Sequence, residues 1–363
     1  MSDLDNTFQS VNLFINRKEI LNKVSGSISF SGSNQLNKLS VIIENPDLQN
    51  SALYNKPVEL YLNDGSMDSV PIFRGFIKSL TPSEENMSIT AVDVRSILGG
   101  EDGLKITLTD EYNYDGFTIG QFLHSFLDDE RGSVKRTLDD EDLWYIRTDN
   151  LRDTNPPVFM TGVRGENLNV YGLLTQKIGE AVDTTTDFNN PLGWFIDVVE
   201  DSNYSNITFS KDKAHKSHDF FEMGSHVTPK VTFSFSDGLL SYRFNRRLAP
   251  NTVHYKGGAF RYTNRPQGQS STTIIDEGSP AELKNAALRK ILLEQQQTDE
   301  ISIEVSKAFG VGIGEVVLLD IDEEDIAGKH RVQSKTIRFG DSCTCSLQLN
   351  KKPPVIKNFI RNS

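Results

Sequence analysis

Leu39-Ser-Val-Ile-Ile-Glu44, Pro57-Val-Glu-Leu-Tyr-Leu-Asn-Asp64, Phe76-Ile-Lys-Ser-Leu-Thr81 and Ser88-Ile-Thr-Ala-Val-Asp93 have counterparts, in the same order, near the other end of the chain. These are Ile301-Ser-Ile-Glu-Val305, Glu315-Val-Val-Leu-Leu-Asp-Ile-Asp322, Arg331-Val-Gln-Ser-Lys-Thr336 and Thr344-Cys-Ser-Leu-Gln-Leu349. Each set reads as four short strands with mostly polar connections. One β-element is therefore written twice, and self-similarity of this kind is weighed before any local signal. A duplicated β-module suggests a geometric task.

Outward from the first copy, Val11, Leu13 and Ile15 alternate with polar neighbours, with Phe14 the exception. Val24, Gly26, Ile28 and Phe30 alternate with serines. This period of two is the mark of half-buried strands. Gly32-Ser-Asn34 and Asn63-Asp-Gly65 read as turns, because Asn, Asp and Gly accept positive φ. Five or six short strands at this spacing predict a small closed or nearly closed barrel over 1–98.

The middle of the chain changes character. Thr118 is placed to cap a short helix that turns Phe122, Leu123 and Phe126 to one side. Acidic loops, Asp128-Asp-Glu130 and Asp139-Asp-Glu-Asp142, surround it, and Asn155-Pro-Pro157 is a firm break. A second helix is expected over 166–182 on Leu168, Val170, Leu173, Leu174 and Ile178. Residues 193–199 and 205–210 read as a strand pair, and 230–244 and 253–262 as further strands, with Val231, Phe233 and Phe235 alternating cleanly. Ser279-Pro-Ala-Glu282 opens a helix over 279–297 with a capping box and proline at its first turn. It delivers the chain into the second copy. The expected organisation is mainly β, α+β overall: a first barrel at 1–98, a middle α+β region at 99–228, a second barrel at 229–350 with 279–297 as a helical excursion, and a tail at 351–363. The second barrel should borrow strands from 230–262, since 299–350 alone supplies about four.

Composition sets bounds. The 363 residues include 37% hydrophobic and 24% charged, ordinary for a protein with real cores. No run of apolar residues is long enough for a membrane-spanning helix. Met1-Ser-Asp-Leu-Asp-Asn6 has neither a basic nor an apolar leader region, so synthesis in the cytoplasm without a secretory signal is expected. The formal net charge of -12 disfavours tight binding to nucleic acid or to an anionic membrane. Cys343 and Cys345 sit two apart, at the outer edge of disulfide reach on a strand, and read as two buried thiols on an inner barrel face.

Several groups carry side chains suited to chemistry. Asp320-Ile-Asp-Glu-Glu-Asp325 is the densest carboxylate run, but it fails the EF-hand spacing and reads as a solvated hairpin tip. Gly310-Val-Gly-Ile-Gly314 lacks dinucleotide-loop spacing, precedes a strand, and reads as a flexible loop. His215, His218 and His226 lie near Asp212, Asp219 and Glu222 in a polar stretch with no framework to converge them on zinc. No nucleophile elbow or zinc-protease motif occurs. Abundant acidic residues leave a glycosidase pair open in principle, but none is singled out. Trp144 and Trp194 could each stack on a sugar, while Phe73, Phe76, Phe233, Phe235 and Phe339 read as core. No catalytic, cofactor-binding or metal-ligating set is expected, and no enzyme activity.

The repeat, with Pro57–Asp64, Phe73-Arg-Gly-Phe-Ile77, Ile89-Thr-Ala-Val-Asp-Val94 leading to Leu98, the helix 279–297, Gly314-Glu-Val-Val-Leu318, Ala327-Gly-Lys-His-Arg-Val332 and Ser346-Leu-Gln-Leu349, resembles the central baseplate hub proteins of tailed phages. That group includes the late-control-gene-D tail proteins and the N-terminal part of the type VI secretion spike VgrG. The resemblance covers nearly the full length by order of elements. It implies a virion protein assembled in the host cytoplasm: a homotrimer in which two tube-type barrels per chain make six positions around a DNA channel. Such a ring would join a hexameric tail tube or distal tail protein to a trimeric spike or tail-tip protein, with wedge and tape-measure proteins as further partners. DNA would be met only in transit, membranes not stably, and any spike or hydrolase would be a separate chain. Three chains would carry -36, three times -12, enough to repel passing DNA if part of it lines the lumen. The alternatives are a cell-wall-acting or carbohydrate-binding tail protein, glycosidase-like, and a type VI spike component.

Overall fold

A computed structural model describes residues 10–31, 36–44, 53–63, 70–99, 104–129, 146–147, 159–180, 194–211, 228–246, 252–256, 258–261, 271–274, 299–306, 310–322 and 326–349. The chain divides into two compact units. One comprises Met1–Ala181, Trp194–Lys211 and Thr336–Cys345, and the other Val182–Gly193, Asp212–Lys335 and Ser346–Ser363. The helix expected over 279–297, the turns at 32–34 and 64–65, the acidic loop 139–142, the 155–157 break and the three histidines lie outside the described residues.

The first unit contains strands β1 (Ser10–Ile15), β2 (Lys18–Ile20), β3 (Val24–Ser31), β4 (Lys38–Glu44), β5 (Pro57–Asn63), β6 (Phe73–Pro82), β7 (Asn86–Asp93), β8 (Lys105–Leu108), β9 (Ile146–Arg147), β10 (Gly165–Asn169), β11 (Trp194–Glu200) and β12 (Ser205–Lys211). A 3-10 turn occupies Val94–Leu98, and the helices are α1 (Ile119–Asp129) and α2 (Val170–Glu180). Its main sheet runs β3-β4-β7-β6-β5-β1-β2, antiparallel at every described register. One face of each long strand feeds a single core: Leu13 and Ile15, Ile28, Leu39 and Ile43, Val58 and Leu60, Phe73 and Ile77, Met87 and Ile89. The strands of this antiparallel sheet thus all turn one face to the same core.

A second core lies in the middle region. Ile97 and Leu98, Ile106 and Leu108, Phe122, Leu123 and Phe126, Val170 and Leu174, Ile196, Ile207 and Phe209 all meet there. The capping of α1 is reciprocal: Gln121 N–H donates to Thr118 Oγ1 at 3.2 Å, and Thr118 N–H to Gln121 Oε1 at 3.0 Å. The second helix starts later than expected. Residues 165–169 first pair with β8, and Asn169 Oδ1 then accepts from Gly172 N–H at 2.8 Å, capping α2. The pairing of β11 with β12 is as expected.

The second unit contains β13 (Val231–Phe233), β14 (Leu239–Arg246), β15 (Thr252–Tyr255), β16 (Gly258–Arg261), β17 (Ser271–Ile274), β18 (Asp299–Val305), β19 (Val316–Leu319), β20 (Gly328–Phe339) and β21 (Thr344–Leu349); the last residues of β20 and the first of β21 count with the first unit. The order is β14-β18-β21-β20-β19-β13. Strands β13 and β14 are thus drawn from 230–262 as expected, whereas β15 and β16 leave for a separate small sheet with β17. The expected strand through Phe235 is interrupted. β13 stops at Phe233, and Ser234–Gly238 turns back, with Gly238 at φ 81°. Phe235 therefore leaves the core and is 62% exposed, while Phe73, Phe76, Phe233 and Phe339 are buried.

Candidate functional site

The repeated sequences fold into the same strand order. The first set gives β4-β7-β6-β5 and the second gives β18-β21-β20-β19. One further strand matches on each flank, so β3-β4-β7-β6-β5-β1 corresponds to β14-β18-β21-β20-β19-β13, with the chain visiting the six places in the same sequence. The match departs at one end: β1 is antiparallel to β5, whereas β13 runs parallel to β19. The surface chemistry of such a module resides in its edges and outer faces.

The outer face of the first module is joined to the middle core through β6, buried on both sides from Phe73 to Ile77. Phe73 and Ile77 enter the module core, and Phe76 enters the middle core. Between them Gly75 has no alternative: a Cβ there would stand 2.0 Å from Val92 O and 2.9 Å from the Phe73 ring. This explains the Phe73-Arg-Gly-Phe-Ile77 stretch as a strand pressed from two directions.

Two buried arginines fasten this junction. Arg74 donates from Nε to Glu59 Oε2 at 3.2 Å, from Nη1 to Asp201 O at 3.0 Å and Glu200 Oε2 at 3.4 Å, and from Nη2 to Ser202 O at 2.9 Å. Burial works against its charge, but Glu200 and Glu59 keep its pKa above the ordinary value. Glu200, which also accepts from Ser205 Oγ at 2.6 Å, is pushed up to about 7 by burial. Burial raises Tyr61, which donates to Glu59, to about 12. Asp93 caps the 3-10 turn by accepting from Arg95 N–H at 2.9 Å. Arg95 in turn binds the Asp93 carboxylate through Nε and Nη2 and reaches Ile196 O through Nη1. Burial opposes its charge, yet Asp93 holds its pKa above the usual range. Removing one partner of such a pair strands the other. No sequence signal marked these arginines: Asp93 stands next but one to Arg95, but Glu200, Asp201 and Ser202 are remote from Arg74 in the chain, as Ile196 is from Arg95.

Among the described residues the carboxylates and thiols form no joint site. Asp320 and Asp322 are exposed, and Glu323, Glu324 and Asp325 lie outside the described residues, as do the side chains of Trp144 and Trp194. Among the described residues no group of three or more His, Cys, Asp or Glu could hold a metal ion. Both cysteines are free; Cys345 is buried on β21, but Cys343 precedes the strand and is only half-buried, its thiol raised to about 12 by burial beside Cys345. The Gly310–Gly314 stretch is pinned, contrary to a free loop: Val311 is fully buried, Lys335 Nζ donates to its carbonyl at 2.9 Å, and Gly312 N–H reaches Glu315 at 2.7 Å.

Among the exposed apolar side chains are two sets beside loops. Phe235 and Leu240 mark the β13–β14 turn, with the Phe235 ring 6.0 Å from Tyr242. Tyr112, Phe117 and Phe159 mark the loops around α1. Among the described residues no helix is long and apolar enough to cross a membrane.

No protein-family model matches the chain, and no curated protein matches it. Solved structures do. A tail protein from Neisseria meningitidis is similar with a TM-score of 0.58 at 14% identity, covering 94% of this chain and 96% of that one. The 43 kDa tail protein of prophage MuSo2 from Shewanella oneidensis is similar with a TM-score of 0.61 at 12% identity, covering 96% and 98%. An Escherichia coli component of the type VI secretion system, with structural similarity to bacteriophage tail proteins, is similar with a TM-score of 0.52 at 7% identity, covering 94% and 77%. The chain thus has a fold shared by phage tail proteins and a type VI secretion component.

Proposed function

We propose that this protein is a structural baseplate hub of a tailed-phage virion, a homotrimer whose six modules form a pseudo-sixfold ring. The observation that carries this reading is the duplicated strand order, β3-β4-β7-β6-β5-β1 and β14-β18-β21-β20-β19-β13. Two alike modules per chain give three chains six comparable positions, which is how a threefold object meets a hexameric tail tube or distal tail protein on one side and a trimeric spike or tail-tip protein on the other. Wedge and tape-measure proteins would be further neighbours. In this reading the domains are 1–98, 99–228 and 229–350, followed by the tail 351–363, and the chain does no catalysis. The departure of β13 from β1 makes the sixfold relation approximate.

The formal charge, -36 for three chains from -12 each, suits a channel through which DNA passes without sticking. Light scattering on the purified chain tests the assembly, with three times the chain mass expected, and class averages of the particle should show a ring with six lobes. A dimer or a tetramer would defeat the proposal. Peptidoglycan zymography is the counter-test: lysis lost on substituting one acidic residue would replace the hub reading with an enzymatic one.

A further inference from the structure

β3 and β14 hold the same place in the two strand orders. Ser29 pairs with Lys38, and Asn245 with Glu300, the residues just before the matched Leu39 and Ile301. Ser29 and Asn245 are thus equivalent. β3 has strands on both sides, β4 and the last residues of β20. A Cβ on Gly26 would stand 3.1 Å from the Phe339 ring, Gly340 lies against Ser25, and Lys23 Nζ is 3.2 Å from Asp341. Residue numbers rise on one strand as they fall on the other, so the two are antiparallel. Of β3, only Ser29 is exposed.

β14 has a single neighbour, β18, among the described strands. Leu240, Ser241, Arg243 and Asn245 are exposed along it, Leu240 by 52%, and Phe235 stands exposed at its start. In the first copy the strand equivalent to β20 is β6. Its first half lies between β5 and β7, but after Ile77 its described partner is β7 alone, and Ser79, Thr81 and Pro82 are exposed. One molecule therefore carries the strands of this joint twice, filled at β3 and, among the described strands, unfilled at β14.

We propose that the second half of β6 from one copy of this chain lies antiparallel along β14 of another, as the end of β20 lies along β3. The proposal rests on the oligomeric reading above and names the surfaces that build it. The joint adds main-chain hydrogen bonds between two strand edges, with Thr81 opposite Asn245. It is heterologous, one surface meeting a different one, which is the geometry that closes into rings rather than isologous dimers. Pro82 has no N–H to donate, so the paired stretch ends there.

Thr81→Cys and Asn245→Cys, both at exposed positions, test the joint when prepared separately, mixed and gently oxidised beside the unsubstituted chain. A cross-link is expected in the mixture and in neither variant alone, and the double variant should give a ladder ending at three chains. Ser83→Cys in place of Thr81→Cys covers a shift of register. On the unsubstituted chain, light scattering should give the trimer mass, and amide hydrogen exchange along β14 should slow on assembly. A trimer without either cross-link and without slowed β14 exchange overturns the joint and leaves the trimer standing. Asn245→Cys cross-linking to itself shows isologous pairing and also overturns the joint. A monomer at every concentration overturns both the joint and the oligomeric reading.

Discussion

Each copy of the module buries a cation on its longest strand, and the two are used differently. On β6, Arg74 reaches outward and grips the β11–β12 turn through Asp201 and Ser202. On β20, Lys335 reaches back and grips Val311, in the loop before its own neighbour β19. Arg74 thus holds another part of its unit, whereas Lys335 shapes its own module. The same strand order thus tolerates different outer faces, because the inward-facing residues define the order while the outward-facing ones are free to vary. Duplicated modules can in this way keep a common geometry and acquire separate neighbours.

That contrast can be broken most forcefully at Arg95. Arg95→Met should cost about 3–5 kcal/mol, because it leaves the Asp93 carboxylate buried without its partner. In denaturant titrations read by hydrogen exchange, β6 and β7 should open well before β18. Equal loss in both copies would remove the asymmetry. Phe339→Ala comes next, at about 3 kcal/mol or more. Although Phe339 is on β20, the loss should appear in β3 and β4, since its ring belongs to the core of the first module. Loss confined to β19 and β21 would contradict that placement.

The third test uses pH. Glu200 has an ordinary value of 4.5 and lies at about 7 in the fold, so the folded state holds its proton more tightly. Its contribution is therefore complete below pH 4.5 and declines as pH rises to about 7, by about 3 kcal/mol. Glu200→Gln should flatten the stability profile across that window, and an unchanged slope would assign it to other groups. The smallest effect is expected for Lys335→Met, about 1 kcal/mol for the lost hydrogen bond to Val311 O. Its signature is local, with faster exchange at residues 311–315 and none at β6.

Much of the fold was legible in short stretches. The alternation in Leu39–Glu44 and Ile301–Val305 named strands correctly, and Thr118 with Gln121 announced a helix start, because both signals act between residues close in the chain. Phe235 misled for the same reason: its period of two continued from Val231 and Phe233, while Asp237-Gly238 turned the backbone just beyond it. The start of α2 misled too, since Gly165–Asn169 was claimed by β8, a partner outside any local window. Arg74 and Arg95 gave no signal as fasteners, because an arginine reads as a solvated residue until the remote groups it reaches, Glu200 and the carbonyls of Ile196, Asp201 and Ser202, are located.

The sequence by itself determined the duplication, the β character of both copies and the lack of a recognisable catalytic motif, since period and repetition are properties of the chain alone. Only the tertiary structure decided which strands neighbour which, that the end of β20 completes the edge of β3, and that β14 is left with one described neighbour. Strand pairing is long-range and its backbone hydrogen bonds carry no residue identity, so the order of a sheet is settled by which edges meet when the cores close.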